Sequence, residues 1–117
     1  MKSQIPELTV IQKTYDLILW WVPIIDRFPR SHKYGLGARI ENLLYQILEE
    51  LVAAKFEKSK TERLSLVNIK LEVLRHQARL LLDLKVFDGK KLHYVTELIN
   101  GVGREVGGWL RQQRATA

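Results

Sequence analysis

Two pairings of a histidine with a charged residue could do chemistry in this sequence. Arg27 and His32 flank four residues of a basic turn, where arginine could hold a phosphate while histidine transfers a proton. Glu72 and His76 are four residues apart, which places both on one face of a helix. This pair stands alone, whereas carboxylate-bridged metal sites need further inward carboxylates, so we expect no metal.

Other patterns that carry enzymatic chemistry are missing from the sequence. It contains no glycine-rich phosphate loop, no HExxH motif, no nucleophile elbow and no cysteine. We therefore predict a protein without catalytic residues and without a cofactor. The hypothesis of a ribonuclease using Arg27 and His32 remains open as an alternative.

The basic side chains give a stronger indication of function. The chain has 19 Lys and Arg residues against 13 Asp and Glu residues, for a net charge of +6. Such an excess favours an acidic partner, with nucleic acid first, although many basic helical proteins bind nothing acidic. The residues predicted to contact phosphates without reading bases are Arg27, Arg30, Lys33, Arg39, Lys70, Arg75, Arg79, Arg104, Arg111 and Arg114.

Four helices would position these residues. The apolar run from 17 to 25 is too short for a bilayer, which takes about 20 residues, so it indicates a core helix that Pro23 kinks or splits. Ser59 and Glu62 form a capping-box pattern at the start of the third helix. The helices are predicted from about Thr9 to Arg27 or Phe28, from Ser31 to Lys55, from Ser59 to Val86, and from Lys90 to Gln112.

The third helix carries two apolar stripes at helical spacing. The first stripe is Leu64, Val67, Leu71, Leu74, Ala78 and Leu81. The second stripe is Leu66, Ile69, Val73, His76, Leu80 and Leu84. One stripe is enough for a core within the chain, so the second predicts contact with another chain and a homo-oligomer. The alternative is that this helix lies deep between two neighbouring helices.

Short connections between these helices, with no strand alternation, indicate an all-α fold. We predict an up-down-up-down four-helix bundle with a kinked first helix. It would form a single domain over residues 1–117, with loose tails at about 1–7 and 113–117. The start of the sequence lacks the apolar region of a signal peptide, so we expect a cytoplasmic protein with no membrane partner.

Two segments of the sequence resemble a known family. The first segment contains YDL at 15–17, Trp20, Pro23 and RFPRSHKYGLGARIE at 27–41. The second segment is VGREVGGWL at 102–110. Over about residues 8–112 the chain resembles the accessory variability determinant (Avd) proteins of diversity-generating retroelements, a four-helix-bundle family. That family is related to proteins encoded in intervening sequences of 23S rRNA genes. Residues 44–51, LYQILEEL, differ from the small-residue stretch of the ribosomal branch and favour the Avd branch.

The resemblance implies more than composition does. Avd-like proteins are ring-shaped pentamers of four-helix protomers, have a basic surface and no catalytic activity, and bind a reverse transcriptase and nucleic acid. They support mutagenic copying of a template RNA into cDNA. The resemblance thus implies a non-enzymatic retroelement accessory protein, with the reverse transcriptase and its template RNA or cDNA as partners.

Two alternatives stay open beside that interpretation. The spacing of Arg27 and His32 resembles the Arg-x(4–6)-His motif of HEPN ribonucleases, which are also helical bundles. A plain structural scaffold that binds only protein is the other alternative.

Overall fold

The described part of the chain consists of helices joined by short turns. A computed structural model describes the backbone of residues 6–116 and the side chains of residues 9–116, and no strand occurs among these residues. The helices are α1 (Pro6–Ile25), α2 (Arg30–His32), α3 (Ala38–Phe56), α4 (Thr61–Asp83) and α5 (Gly89–Thr116), with a π-helical segment at Lys33–Gly37. The all-α, four-helix prediction is confirmed, since α2, the π segment and α3 follow one another as the predicted second helix.

The four long helices share one core. α1 and α4 each pack against both α3 and α5, which leaves α1 and α4 diagonal to each other in the bundle. The bundle measures 47 × 27 × 19 Å. Buried residues recur at three and four positions in every long helix, as helical periodicity requires. Outside α4 they include Val10, Leu17, Trp21, Ile40, Leu44, Ile47, Leu51, Val95, Ile99, Val102, Val106 and Trp109.

α1 differs from its prediction at both ends. It begins at Pro6, where a proline is favoured because the first helical N–H has no intrahelical partner, so Thr9 lies inside the helix. Pro23 does not split α1, which continues to Ile25 and then ends in a turn. A proline so near the C-terminus removes one hydrogen bond and leaves the long upstream part intact. The first five residues of the predicted N-terminal tail lie outside the described residues.

The π-helical segment brings the start of α3 against the end of α1. A Cβ on Gly37 would lie 3.1 Å from Ile25 Cγ2 and 3.1 Å from Phe28 Cδ2, closer than normal contact allows. A Cβ on Gly35 would meet nothing within 4 Å. Gly37 is therefore the glycine that permits this close approach. Ser31 does not cap the segment, because α2 begins at Arg30 after Pro29 without a side-chain capping bond.

Side chains from the start of α4 hold the α3–α4 turn. Lys60 Nζ donates to the carbonyls of Ala54 at 2.7 Å, Lys55 at 3.2 Å and Glu57 at 2.6 Å, and so satisfies the end of α3. α4 begins at Thr61 with Lys60 as its N-cap residue and with no side-chain capping bond. The predicted capping box at Ser59 is therefore wrong. The Lys60 side chain bonds to the end of the preceding helix and does not cap α4.

The two apolar stripes of α4 differ in burial. Every member of the first stripe is fully buried, which confirms the predicted core face. Every member of the second stripe is exposed, and Ile69 reaches 62% exposure. The alternative in which α4 lies deep between its neighbours is therefore wrong for this chain. The second stripe is a largely apolar surface that none of the described helices covers.

The α4–α5 turn brings Phe87 against Trp20 and Trp21 of α1. α4 ends at Asp83, three residues before the predicted end, and Lys85 adopts a left-handed conformation with φ 64°. Asp88 Oδ1 accepts a 2.9 Å hydrogen bond from the backbone N–H of Lys91 and so caps α5. α5 continues to Thr116, beyond the predicted end at Gln112. Among the described residues, no helix combines the length and apolar character needed to span a bilayer.

Candidate nucleic-acid interface

The ten predicted phosphate contacts fall into three groups on the surface. Four lie around the α1–α2 turn and the start of α3, three lie on α4, and three lie on α5. Lys33, Lys70 and Arg75 are half-buried, and the others are exposed. The groups differ in how many of their cations already bind a nearby acidic or amide side chain. This difference decides which of the groups can receive a phosphate.

In the first group, Arg27 lies beside a lysine from a distant part of the sequence. Arg27 and Lys91 line one cavity of about 120 Å³ whose apolar wall includes Phe28 and Phe87. Phe87 reaches this wall because its ring also packs on Trp20 and Trp21, with centroids 6.2 and 6.3 Å apart. The turns α1–α2 and α4–α5 therefore meet at one end of the bundle, and their positive charges add there.

The rest of the first group lies outside that cavity. Arg30 and Arg39 are exposed, and Lys33 Nζ lies 5.5 Å from the ring centroid of Tyr34. None of these three residues, nor Arg27, forms an ion pair with a carboxylate that the structure describes. Their charges are thus free to act on an incoming polyanion.

The proposed ribonuclease pair is not assembled by these contacts. His32 is half-buried and does not line the cavity that contains Arg27. No hydrogen bond or ion pair joins the two side chains within the described chain. The ribonuclease hypothesis stays a prediction that an RNA-cleavage assay can test. The other histidine pair is a surface contact, with His76 Nε2 3.4 Å from Glu72 Oε2.

In the second group, neighbouring side chains already bind every cation. Lys70 Nζ donates to Gln46 Oε1 at 2.8 Å. Arg79 Nε lies 3.4 Å from Asp83 Oδ1, one turn away on the same helix. Arg75 donates from Nη1 to Glu72 at 3.0 Å. Two of these three positive charges are therefore balanced locally by a carboxylate, which weakens the attraction of this group for phosphate.

Arg75 also belongs to a groove that α5 completes. The Nε of Arg75 donates to Asn100 Oδ1 at 2.9 Å, which fixes the guanidinium over α5. The groove has a volume of about 460 Å³. It is lined on α4 by Asn68 and Arg75, and on α5 by Asn100, Gly103, Arg104, Gly107 and Arg111. Three of the ten predicted residues, Arg75, Arg104 and Arg111, thus surround one space, while Arg114 lies farther along α5 outside it.

The charge of Arg63 is neutralised by two carboxylates, those of Glu50 and Glu57. Arg63 contacts Glu50 at 2.6 Å through Nη1 and binds Glu57 through both Nε and Nη2. Hydrogen bonds to Glu57 and then to Glu50 raise the pKa of Arg63, and the bond from Arg63 lowers the pKa of Glu57. This arginine links the ends of α3 and α4 and has no capacity left for a phosphate.

Several residues around these sites were absent from the predicted set. Asn68, Asn100, Gly103 and Gly107 line the groove, and Lys91 lines the cavity at the bundle end. A signal for the groove existed in the spacing of Asn100, Gly103, Gly107 and Arg111, which puts all four on one face of α5. That face carries two glycines where a core-facing stripe would carry large apolar side chains.

Comparison with known proteins identifies the family of this chain. A comparison with curated proteins finds no match. A family model described as bAvd-like matches residues 8–113, which include all four long helices almost completely, both basic turns and the groove. The resemblance noted from the two sequence segments is thereby confirmed. The chain belongs to the bAvd-like family.

Proposed function

We propose that this chain is a non-enzymatic accessory protein of a diversity-generating retroelement. It binds the reverse transcriptase of the element and its template RNA or cDNA, and so supports mutagenic cDNA synthesis in the cytoplasm. The observation that carries the proposal is the family match over residues 8–113. The Avd-like family is a family of accessory proteins that is not known as enzymatic, and the resemblance described from the sequence associates it with retroelement components.

The distribution of charge supports nucleic acid as one partner. Seven of the ten predicted cations have no ion pair or hydrogen bond to a described side chain, namely Arg27, Arg30, Lys33, Arg39, Arg104, Arg111 and Arg114. Unpaired exposed cations attract polyphosphate by releasing its condensed counterions. Glu50 and Glu57, by contrast, are bound by Arg63 at the other end of the bundle.

The exposed apolar surfaces support a homo-oligomer. α4 exposes Ile69 and the rest of its second stripe, and the diagonal helix α1 exposes Tyr15 at 50% and Leu19 at 68%. A head-to-tail interface needs two different surfaces on each protomer, and repetition of that interface can close a ring. We propose a ring, pentameric by family resemblance, in which these two faces meet and the helices of each protomer alternate up and down.

The decisive experiment measures binding to both partners at low salt. The purified chain should bind the reverse transcriptase and a short RNA, and RNA affinity should fall linearly on a log–log plot against salt. Changing Arg27, Arg30, Lys33 and Arg39 to Gln, a loss of four positive charges, should weaken RNA binding and reduce that slope. A matched variant with Lys55 and Lys58 changed to Glu, at the opposite connection, tests whether lost net charge alone explains the effect.

Other results would select the alternatives. Tight binding to the polymerase with indifference to RNA would identify a protein scaffold. Cleavage of the RNA that disappears in His32→Ala would identify a ribonuclease. No affinity for either partner would end the proposal.

A further inference from the structure

The groove between α4 and α5 has an unusual floor. A Cβ on Gly107 would contact only the guanidinium of Arg111, at 3.6 Å from Nη1, so no other side chain fills the space above it. A Cβ on Gly103 would lie 3.1 Å from Arg75 Nη2. Each glycine costs a helix on the order of 1 kcal/mol against alanine. At Gly103 the close approach of Arg75 from α4 accounts for the glycine, whereas at Gly107 no described residue of another helix comes within 4 Å of the added Cβ. The two glycines expose backbone at the base of an arginine-lined groove.

The walls of this groove carry cations that are ready for a ligand. Arg104 and Arg111 are exposed and bind no carboxylate within the described chain, whereas Arg75 is held in place by Asn100 and Glu72. Arg104 and Arg111 are seven residues apart, which is two turns of helix or about 10 Å along α5. They therefore form a row of two guanidinium groups beside the glycine floor.

The chemistry of the lining identifies the class of ligand. Guanidinium groups bind phosphate oxygens bidentately, and the carboxamides of Asn68 and Asn100 add neutral polar contacts. No aromatic side chain lines the groove, so it offers no surface on which bases could stack. Phosphates recur regularly along a nucleic-acid strand, so one strand can contact two arginines spaced along one helix.

On the basis of the function proposed above, we infer that this groove binds the sugar–phosphate backbone of a nucleic-acid strand. Arg104 and Arg111 contact phosphates, and the strand passes over Gly107, where a larger side chain would block it, and beside the Arg75 guanidinium that lies over Gly103. Recognition in the groove is independent of base sequence.

The first test removes the charges. Arg104 and Arg111 are changed together to Gln, and binding of labelled oligouridylate is measured against salt, with Lys55→Gln plus Lys58→Gln as the charge-matched control. The groove variant should lose roughly tenfold in affinity at low salt, and its log–log salt slope should fall by about 1.4 for each protomer engaged. The control should keep the native slope. Oligodeoxyuridylate of equal length shows whether the groove accepts RNA, DNA or both.

The second test fills the groove without changing the charge. Gly107→Leu should reduce affinity for oligouridylate severalfold, whereas Gly89→Leu, where an added Cβ meets nothing within 4 Å and which lies outside the groove lining, should not. Circular dichroism and sedimentation establish that each variant keeps its helices and its assembly state. If Gly107→Leu changes the assembly state, the groove holds a neighbouring protomer and the inference is wrong.

Three further outcomes separate this inference from the proposed function. If the native chain binds RNA and the Gln double variant binds equally well, the groove assignment fails and the proposed function stands. If polyglutamate displaces the strand as effectively as an equal charge of unlabelled RNA, the groove is a general acidic-polymer site and the assignment also fails. If the native chain binds no nucleic acid, the groove assignment and the proposed function are both wrong.

Discussion

Phe28 and Phe87 meet edge to face, with ring centroids 6.1 Å apart and ring planes at 86°. One ring belongs to the α1–α2 turn and the other to the α4–α5 turn, so this contact holds two distant connections at one end of the bundle. Arg27 and Lys91 lie beside these rings and share a cavity with them. A packing interaction between two buried aromatics thus determines where two positive charges meet.

Replacing Phe87 with Ala should strongly destabilise the protein. Phe87 is 3% exposed, and removal of a buried phenyl ring typically lowers the free energy of unfolding by about 3–5 kcal/mol. Phe56→Ala is the matched control, since Phe56 is 80% exposed and should change stability by less than about 0.5 kcal/mol. Urea unfolding at a fixed protein concentration measures both. Equal effects of the two substitutions would show that Phe87 does not organise this end.

Gly37 and Gly35 should respond in opposite directions to alanine. At Gly37 the added methyl would press on Ile25 and Phe28 at 3.1 Å, so we expect a loss of about 1–3 kcal/mol. At Gly35 the methyl enters open space, and the higher helix propensity of alanine should stabilise the protein by up to about 1 kcal/mol. Thermal unfolding of the two variants provides the measurement. A stabilised Gly37→Ala variant would contradict the close approach of α1 and the π segment.

The Arg63 ion pairs should make stability depend on pH. The pKa of Glu57 is lowered from its usual 4.5 by the hydrogen bond from Arg63, so the folded state favours the ionised carboxylate. This contribution is present above pH 4.5 and is lost as pH falls through the lowered pKa. Wild type should therefore melt above Arg63→Gln at neutral pH, and the difference should shrink on acidification.

Arg79→Gln is the control for that comparison. Its contact with Asp83 is long, at 3.4 Å, and both side chains are largely exposed, so its removal should leave the melting temperature nearly unchanged at either pH. A pH-independent difference between wild type and Arg63→Gln would mean that packing of the Arg63 side chain, not its charge, joins α3 to α4.

The exposed stripe of α4 should control assembly. Ile69→Lys should dissociate the oligomer while each protomer keeps its helices, because burial of such a side chain contributes about 1.5–3 kcal/mol. Leu19→Lys on α1 should do the same if the interface is head-to-tail, whereas Gln112→Lys at an exposed polar position should not. Analytical ultracentrifugation reports all three. Dissociation by Ile69→Lys alone would indicate a twofold interface between α4 helices.

The periodic features of this fold could be predicted from sequence. The first stripe of α4 is buried at every predicted position, because the recurrence of apolar residues at three and four marks a face that must leave water. The second stripe was recognised by the same rule, and the structure leaves it exposed. A pattern within one chain marks such a stripe as apolar but cannot specify which surface covers it.

The contacts that modify this pattern could not be predicted from sequence in the same way. The π segment depends on how closely Gly37 approaches Ile25 and Phe28, which only the packing of α1 on α3 determines. The capping box at Ser59 failed because α4 begins one residue later, which places Lys60 and not Ser59 at the N-cap position. The groove escaped prediction because Arg75 and Asn100 are 25 residues apart and meet only where α4 packs on α5.

The three carbonyls held by Lys60 make its amine a natural reporter of local opening. An amine-reactive label needs a free Nζ, and the Nζ of Lys60 is freed when its three hydrogen bonds to the end of α3 break. Lys58, two residues away and exposed, reacts without any such opening. The ratio of acylation at Lys60 to acylation at Lys58 would therefore measure how often the hydrogen bonds of Lys60 open, without any probe being engineered into the chain.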